Sequence, residues 1–266
     1  MLPTAAFDRY LHGESLIHRL DPRVKLVVTM LFIVSNLLLP DGAWLAFLAA
    51  GGFLLLGARL AHLPPGYLLR RSVLALPFAL AAVTVLFSQT GQPLWAFRLG
   101  AWTLAVSDAG LLRFASILAR SLLSVQMAIL LTVTTSFPDL MHGLRHLRVP
   151  GVLVAIIGFM YRYLFVLADE ASRLLRARAA RSAAPAAGQA GGSVIWRARV
   201  AGSMVGQLFL RSYERNERVY NAMLARGYRG QLLTMNPHVM TARDWLAGLA
   251  AVLLLAAIQL AGRLAA

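Results

Sequence analysis

The sequence predicts an all-α membrane protein with about five transmembrane helices. Three observations predict it. Hydrophobic residues make up 59% of the 266 and charged ones only 14%, with a mean hydropathy of +0.66, more apolar surface than a soluble domain of this size can bury. Apolar runs of about spanning length recur, separated by proline, glycine and arginine. The net charge is +15, and the basic residues crowd between those runs, as in cytoplasmic loops that face anionic headgroups. In a soluble chain that charge would point to nucleic acid; here topology accounts for it, and no nucleic-acid partner is expected. The chain has no cysteine, which removes disulfides, thiolate metal sites and thiol nucleophiles together. Its one lysine, Lys25, sits in RVKLVV, whereas a phosphate-binding P-loop needs Gly-Lys-[Ser/Thr], so the chain is not itself a P-loop ATPase.

The elements follow in order. Residues 1–23 are polar, with acids at Asp8, Glu14 and Asp21, unlike the basic head of a signal peptide, and read as a cytoplasmic segment. A first span runs from Val24 to Leu39 and stops at Pro40-Asp41-Gly42; a second runs from Ala43 to Leu60. The connection ARLAHLPPGYLLRR carries three arginines and should face the cytoplasm. A third span covers Ser72 to Phe87. The Trp- and Phe-rich segment that follows suits the outer interface, as a hairpin or a shallow helix. A fourth span, Ala109 to Thr134, carries Arg120 well inside it.

The character changes after Thr135, which divides the chain into residues 1–134, 135–230 and 231–266. SFPDLMHGLRHLRVP opens with the helix-start signals Ser136 and Pro138, forms a short amphipathic stretch and stops at Pro150. From Gly151 an apolar stretch passes without a breaker into DEASRLLRARAARS. If it crossed the bilayer, the arginine-dense block Asp169–Gly230 would lie outside, against the positive-inside rule. It is therefore expected to be a long tilted helix at the cytoplasmic leaflet that continues into water, with Arg162 at the interface.

Residues 182–193, SAAPAAGQAGGS, have linker composition. Beyond them lies one long amphipathic helix. Trp196, Val200, Met204 and Leu208 are spaced four apart, as are Val205, Phe209 and Tyr213. Arg211, Glu214, Arg215, Glu217 and Arg218 are placed on the other side, and Glu214 and Arg218 can pair across one turn. A last span, Trp245 to Leu260, returns to the membrane.

Both long helices end on an arginine between small residues: Ala180-Arg181-Ser182, followed by Pro185, and Ala225-Arg226-Gly227. Taken alone, each is a well-made helix end. Glycine makes a left-handed exit cheap, Tyr228 can fold back on the last turn, and the cation sits at the negative end of the dipole. The repetition adds a second reading. Small neighbours allow close approach and a guanidinium offers a planar fork to a carboxylate, so the two tips can enter two grooves of a dimeric partner. Arg178, in the neighbouring Ala-Arg-Ala, is a rival for the first tip.

These features together resemble the transmembrane T component of energy-coupling factor (ECF) transporters, cobalt type (CbiQ-like, related to EcfT). HRLDPRVKL at 18–26, FPDLMHGLRHLRVP at 137–150, YRYLFVLADEASR at 161–173 and the two arginine triplets carry the resemblance. It implies an L-shaped, multi-pass protein of the bacterial inner membrane, with three cytoplasmic coupling helices near 137–149, 151–182 and 194–227. It also implies two ABC-type ATPase subunits bound through Ala180, Arg181, Ser182, Ala225, Arg226 and Gly227, and a separate membrane substrate-binding subunit. The expected role is non-catalytic coupling of ATP hydrolysis by those partners to cobalt uptake, without a cofactor; nickel and vitamin systems are the alternatives. Ser182 departs from the glycine usual at that position in the family.

Other constellations weigh against different functions. His142 and His146 stand four apart like two zinc ligands, but position 143 is glycine rather than a catalytic glutamate and no third ligand is near in sequence; a polar interfacial face is expected. The seven aspartates are scattered singly, whereas an intramembrane lipid-modifying enzyme gathers them to hold magnesium and diphosphate. A self-sufficient transporter would show broken helices with acids at the midplane. Arg120 is expected to pair with a carbonyl or with a hydroxyl such as Ser121 or Ser124, or to touch the substrate subunit.

Overall fold

The computed structural model describes residues 10–11, 13, 15–64, 66–88, 93–99, 102–181, 193–230 and 240–264. Its helices are α1 (Leu16–Arg19), α2 (Pro22–Leu37), α3 (Trp44–Leu60), α4 (Tyr67–Arg71), α5 (Leu76–Ser88), α6 (Asp108–Thr134), α7 (Phe137–His146), α8 (Gly151–Arg181), α9 (Val194–Ala225) and α10 (Ala242–Leu264). The chain is an all-α membrane protein, with one two-stranded hairpin among the described residues, β1 (Pro93–Leu99) and β2 (Trp102–Ser107). Packing separates it into two compact units, Arg9–Gly143 with Asn236–Ala266, and Leu144–Met235 with Met1–Asp8.

In the first unit α2, α3, α6 and α10 form a bundle. α2 starts at Pro22, two residues before the expected Val24, for physical reasons: the Asp21 carboxylate accepts from the Arg23 amide at 2.8 Å, and Pro22 occupies the first turn, where its missing N–H costs nothing. The Asp21 amide in turn donates to Asp244 at 2.9 Å, and Asp244 caps α10 by accepting from the Thr241 amide and hydroxyl, so the starts of α2 and α10 are tied together. The core is Phe32, Leu54, Met127, Leu130 and Leu255, with Phe32 stacked on Phe53 at 5.7 Å. Lipid tails are as apolar as leucine, so close packing rather than water exclusion holds such helices together. Gly262 illustrates it: a Cβ there would lie 2.6 Å from Leu39 Cδ2 and 3.0 Å from the Ala46 Cβ. The outward residues Leu45, Leu48, Leu249 and Leu253 are all exposed, as lipid contact requires.

The third span is interrupted. Between α4 and α5 the backbone tightens to a 3-10 turn over Ser72–Ala75, because Pro77 has no N–H for the Val73 carbonyl and its ring crowds that oxygen. The Ser72 hydroxyl donates to the Leu68 carbonyl and accepts from Gln126 of α6. The segment after α5 is the hairpin, paired antiparallel with Leu99 opposite Trp102. An open strand edge cannot lie in hydrocarbon, which places the hairpin at an interface. It feeds α6 through Ser107, whose hydroxyl caps the Gly110 amide at 3.1 Å.

Arg120 pairs with an acid rather than with the Ser121 or Ser124 hydroxyl. Its guanidinium lies 2.8 Å from Asp41 in the α2–α3 turn and also donates to the Leu39 carbonyl. Ser124 instead accepts from Asn36, which bonds the Arg120 carbonyl as well. His142 also departs from the interfacial face expected of it: it is buried, with Nε2 3.3 Å from the Arg23 guanidinium.

By length and composition, α6, α8 and α10 can each cross a membrane. The apolar first half of α8, expected at the cytoplasmic leaflet, is thus long and apolar enough to cross. Outside the spans, burial lowers the His18 imidazole pKa from its ordinary value, opposed by the hydrogen bond it makes to the Leu11 carbonyl.

Candidate functional site

α8 and α9 form the second unit's main feature. Three contacts define their relation: Phe159 meets Tyr228 edge-to-face at 6.3 Å, Glu170 meets Arg211 at 2.9 Å and Arg215 at 4.0 Å, and Arg178 lies over the Trp196 ring at 6.0 Å. Partner numbers fall along α9 as they rise along α8, so the helices run antiparallel. Between them lies an apolar cavity of about 460 Å³, lined by residues that include Tyr163, Leu167, Leu208 and Met223.

The inner face of α9 differs from the stripe expected from fourfold spacing. Its half-buried positions are Val200, Met204, Leu208, Ser212, Arg215, Val219 and Met223. Val205, Phe209 and Tyr213 are exposed instead, at 66%, 67% and 56%. A strict four-residue step advances about 40° each time, so a face must periodically step by three. That step falls between Ser212 and Arg215. It turns Arg211 and Arg215, expected on the polar side, toward the Glu170 carboxylate, whose side chain is only 15% exposed. The expected Glu214–Arg218 pair forms at 4.0 Å with both side chains in solvent, where such a pair contributes little.

The helix ends carry the candidate tips. Arg226 is the cap of α9 and Gly227 adopts φ +83°. The Gly227 amide donates to the Leu224 carbonyl at 2.9 Å and the Tyr228 amide to the Met223 carbonyl at 3.0 Å, the paired bonds of a Schellman end. With the terminal carbonyls answered by backbone, the Arg226 side chain is left exposed. Arg181 is the last residue of α8 and is exposed too, as are Ala180 and Ala225. Ser182, with the linker beyond it, lies outside the described residues. Among the described residues neither Arg181 nor Arg226 has an acidic partner, whereas the rival Arg178 is engaged on Trp196. Arg226 sits beside Tyr228 and hence near Phe159, so the tips stand at opposite ends of the pair. The 22-residue step from Phe159 to Arg181 corresponds to about 33 Å.

No group of three metal-ligating side chains converges among the described residues. Sequence reasoning did not find Glu170 as the centre of the helix pair. The only signal was an acid within an arginine-rich stretch, and adjacent Asp169 gave the same signal.

The CbiQ family, described as cobalt transport protein, matches residues 13–238. An energy-coupling factor transporter transmembrane protein EcfT of Brevibacillus brevis is 31% identical, covering 97% of this chain and 98% of its own length. The EcfT of Acidaminococcus fermentans is 30% identical over 86% of this chain and 85% of its own, and that of Listeria innocua 28% identical over 86% and 87%. A two-unit helical chain with arginine-tipped helix ends, matched along nearly its whole length, thus belongs to the CbiQ family, alongside the EcfT transmembrane proteins of energy-coupling factor transporters.

Proposed function

We propose that this chain is the non-catalytic T subunit of an ECF importer, joining two ABC-type ATPase subunits to a separate membrane substrate-binding subunit. Its cargo is a transition-metal ion, with cobalt favoured by the family description over nickel or a vitamin. Residues 1–134 comprise a cytoplasmic N-terminal segment and four helices that cross the bacterial inner membrane, 231–266 supply the last transmembrane helix, and 135–230 couple on the cytoplasmic side. The positive-inside rule supports that orientation, because 169–230 is the arginine-dense block.

One observation carries the reading. Two exposed arginines without acidic partners among the described residues cap the opposite ends of an antiparallel helix pair, about 33 Å apart. Each would enter an acidic groove of one ATPase subunit, where small neighbours admit the backbone and the guanidinium forks onto a carboxylate. When the ATPases change separation on hydrolysis, the two tips move with them and the helix pair passes the displacement to the membrane unit and the substrate subunit.

The test is the Arg181→Ala/Arg226→Ala double variant. Truncating an interfacial arginine costs about 2 kcal/mol, roughly 30-fold in affinity. ATPase co-purification and ATP-driven metal uptake should both fall while the variant still assembles in the membrane; unchanged uptake would refute the assignment.

A further inference from the structure

A crevice in the membrane unit is not used by the coupling reading. It lies between α2, α3, α6 and α10, holds about 310 Å³ and is lined almost wholly by apolar side chains. Leu56 of α3 and Leu254 of α10 line it and are 57% and 45% exposed, so it opens onto the lipid face of the bundle. The one charged group in its lining is Lys25. Lys25 Nζ donates to the Thr134 carbonyl at 3.0 Å and, more weakly, to the His18 carbonyl at 3.4 Å. An ammonium has three donors, so one remains without a partner among the described residues.

We infer that this crevice is a binding site for one phospholipid, with an acyl chain in the apolar slot and the phosphodiester at the Lys25 ammonium. Three observations support this. The slot runs along α10 from Ala247 to Leu254, about 10 Å, which is most of one leaflet's ~15 Å hydrocarbon depth but far less than the ~30 Å a partner's spanning helix would need. Its polar end lies at the starts of α2 and α10 and the ends of α3 and α6, where Arg23, Arg59 and Arg243 also stand, the level at which phosphates lie. An apolar slot open to the bilayer is filled by hydrocarbon rather than water, and the free donor of Lys25 then fixes which end of the lipid sits where. Asp21, Asp139 and Asp244 lie close enough to act on the Lys25 charge, so a headgroup with net negative charge gains no advantage over a zwitterionic one. The site takes the phosphate common to both.

The chain is purified alone in mild detergent, supplied with phosphatidylglycerol and phosphatidylethanolamine, and examined by native mass spectrometry. One retained phospholipid per chain is expected, of either headgroup. Ala251→Phe, which fills the slot, should abolish retention, whereas Leu253→Phe, on the exposed face of the same helix, should not. Lys25→Met should weaken retention about fivefold and Lys25→Arg restore it. Equal retention in wild type, Ala251→Phe and Lys25→Met overturns the inference. So does a chain that retains no lipid when purified and whose Leu56 and Leu254 positions, in membranes holding the assembled transporter, crosslink to a substrate subunit.

Discussion

Replacing Glu170 by glutamine should loosen the α8–α9 pair without touching either tip. At 2.9 Å and an effective dielectric of 20 the Glu170–Arg211 attraction is about 6 kcal/mol before desolvation. Most of this is offset, because Glu170 is 15% exposed and loses hydration, while Arg211 and Arg215 at 58% and 43% keep much of theirs and surrender rotamer freedom. Exposed pairs are worth about 0–1 kcal/mol and breaking a buried one costs about 3–5, so this half-buried pair should contribute about 1–2. For a chain of this size that is a fall of about 3–6 °C in Tm. A double-mutant cycle with Arg211→Gln isolates the pair. Because the chain has no cysteine, Ala177→Cys and Ala201→Cys take spin labels uniquely, and their distance distribution should broaden in Glu170→Gln. Under the proposed function, ATP-driven metal uptake should fall with both arginine tips intact. A coupling energy below about 0.3 kcal/mol together with an unchanged distribution would refute the reasoning.

Gly227→Val should lower stability by about 1–2 kcal/mol, because φ +83° crowds a Cβ, and should weaken ATPase co-purification although Arg226 is retained; binding equal to wild type would show that the end geometry does not position the arginine. Arg120→Ala leaves Asp41 to Arg113 at 3.9 Å and strips the Leu39 carbonyl of its donor, so the melting temperature in detergent should fall by about 4–8 °C for ~2 kcal/mol, and by little further when Asp41→Asn is added.

The parts of this fold legible in the sequence are those decided locally. Hydropathy located the apolar helices α2, α3, α6 and α10, Ser136 the start of α7, and Gly227 the end of α9, because each depends on a few adjacent residues. Arg181 and Arg226 were legible as helix ends for the same reason. The rest depends on partners far apart in the chain. Asp41 and Arg120 are separated by the second and third spans and the hairpin, and nothing near Arg120 announces an acid. His142 looks interfacial on its own short helix, yet it is buried where the start of α2 packs against that helix and brings Arg23 to it. Val200, Met204 and Leu208 lie on the inner face of α9 as their spacing implies, but Val205, Phe209 and Tyr213 do not, because the three-residue step that keeps a stripe on one side falls beyond Ser212 and a fourfold string does not show it.

Glu170 stands 11 residues from Phe159 and 11 from Arg181, about 16 Å either way. Because Phe159–Tyr228 and Arg178–Trp196 also fasten the two rods on either side of that midpoint, they form one stiff strut, and under the proposed coupling role a pull on one extremity travels its whole length instead of being lost in a hinge.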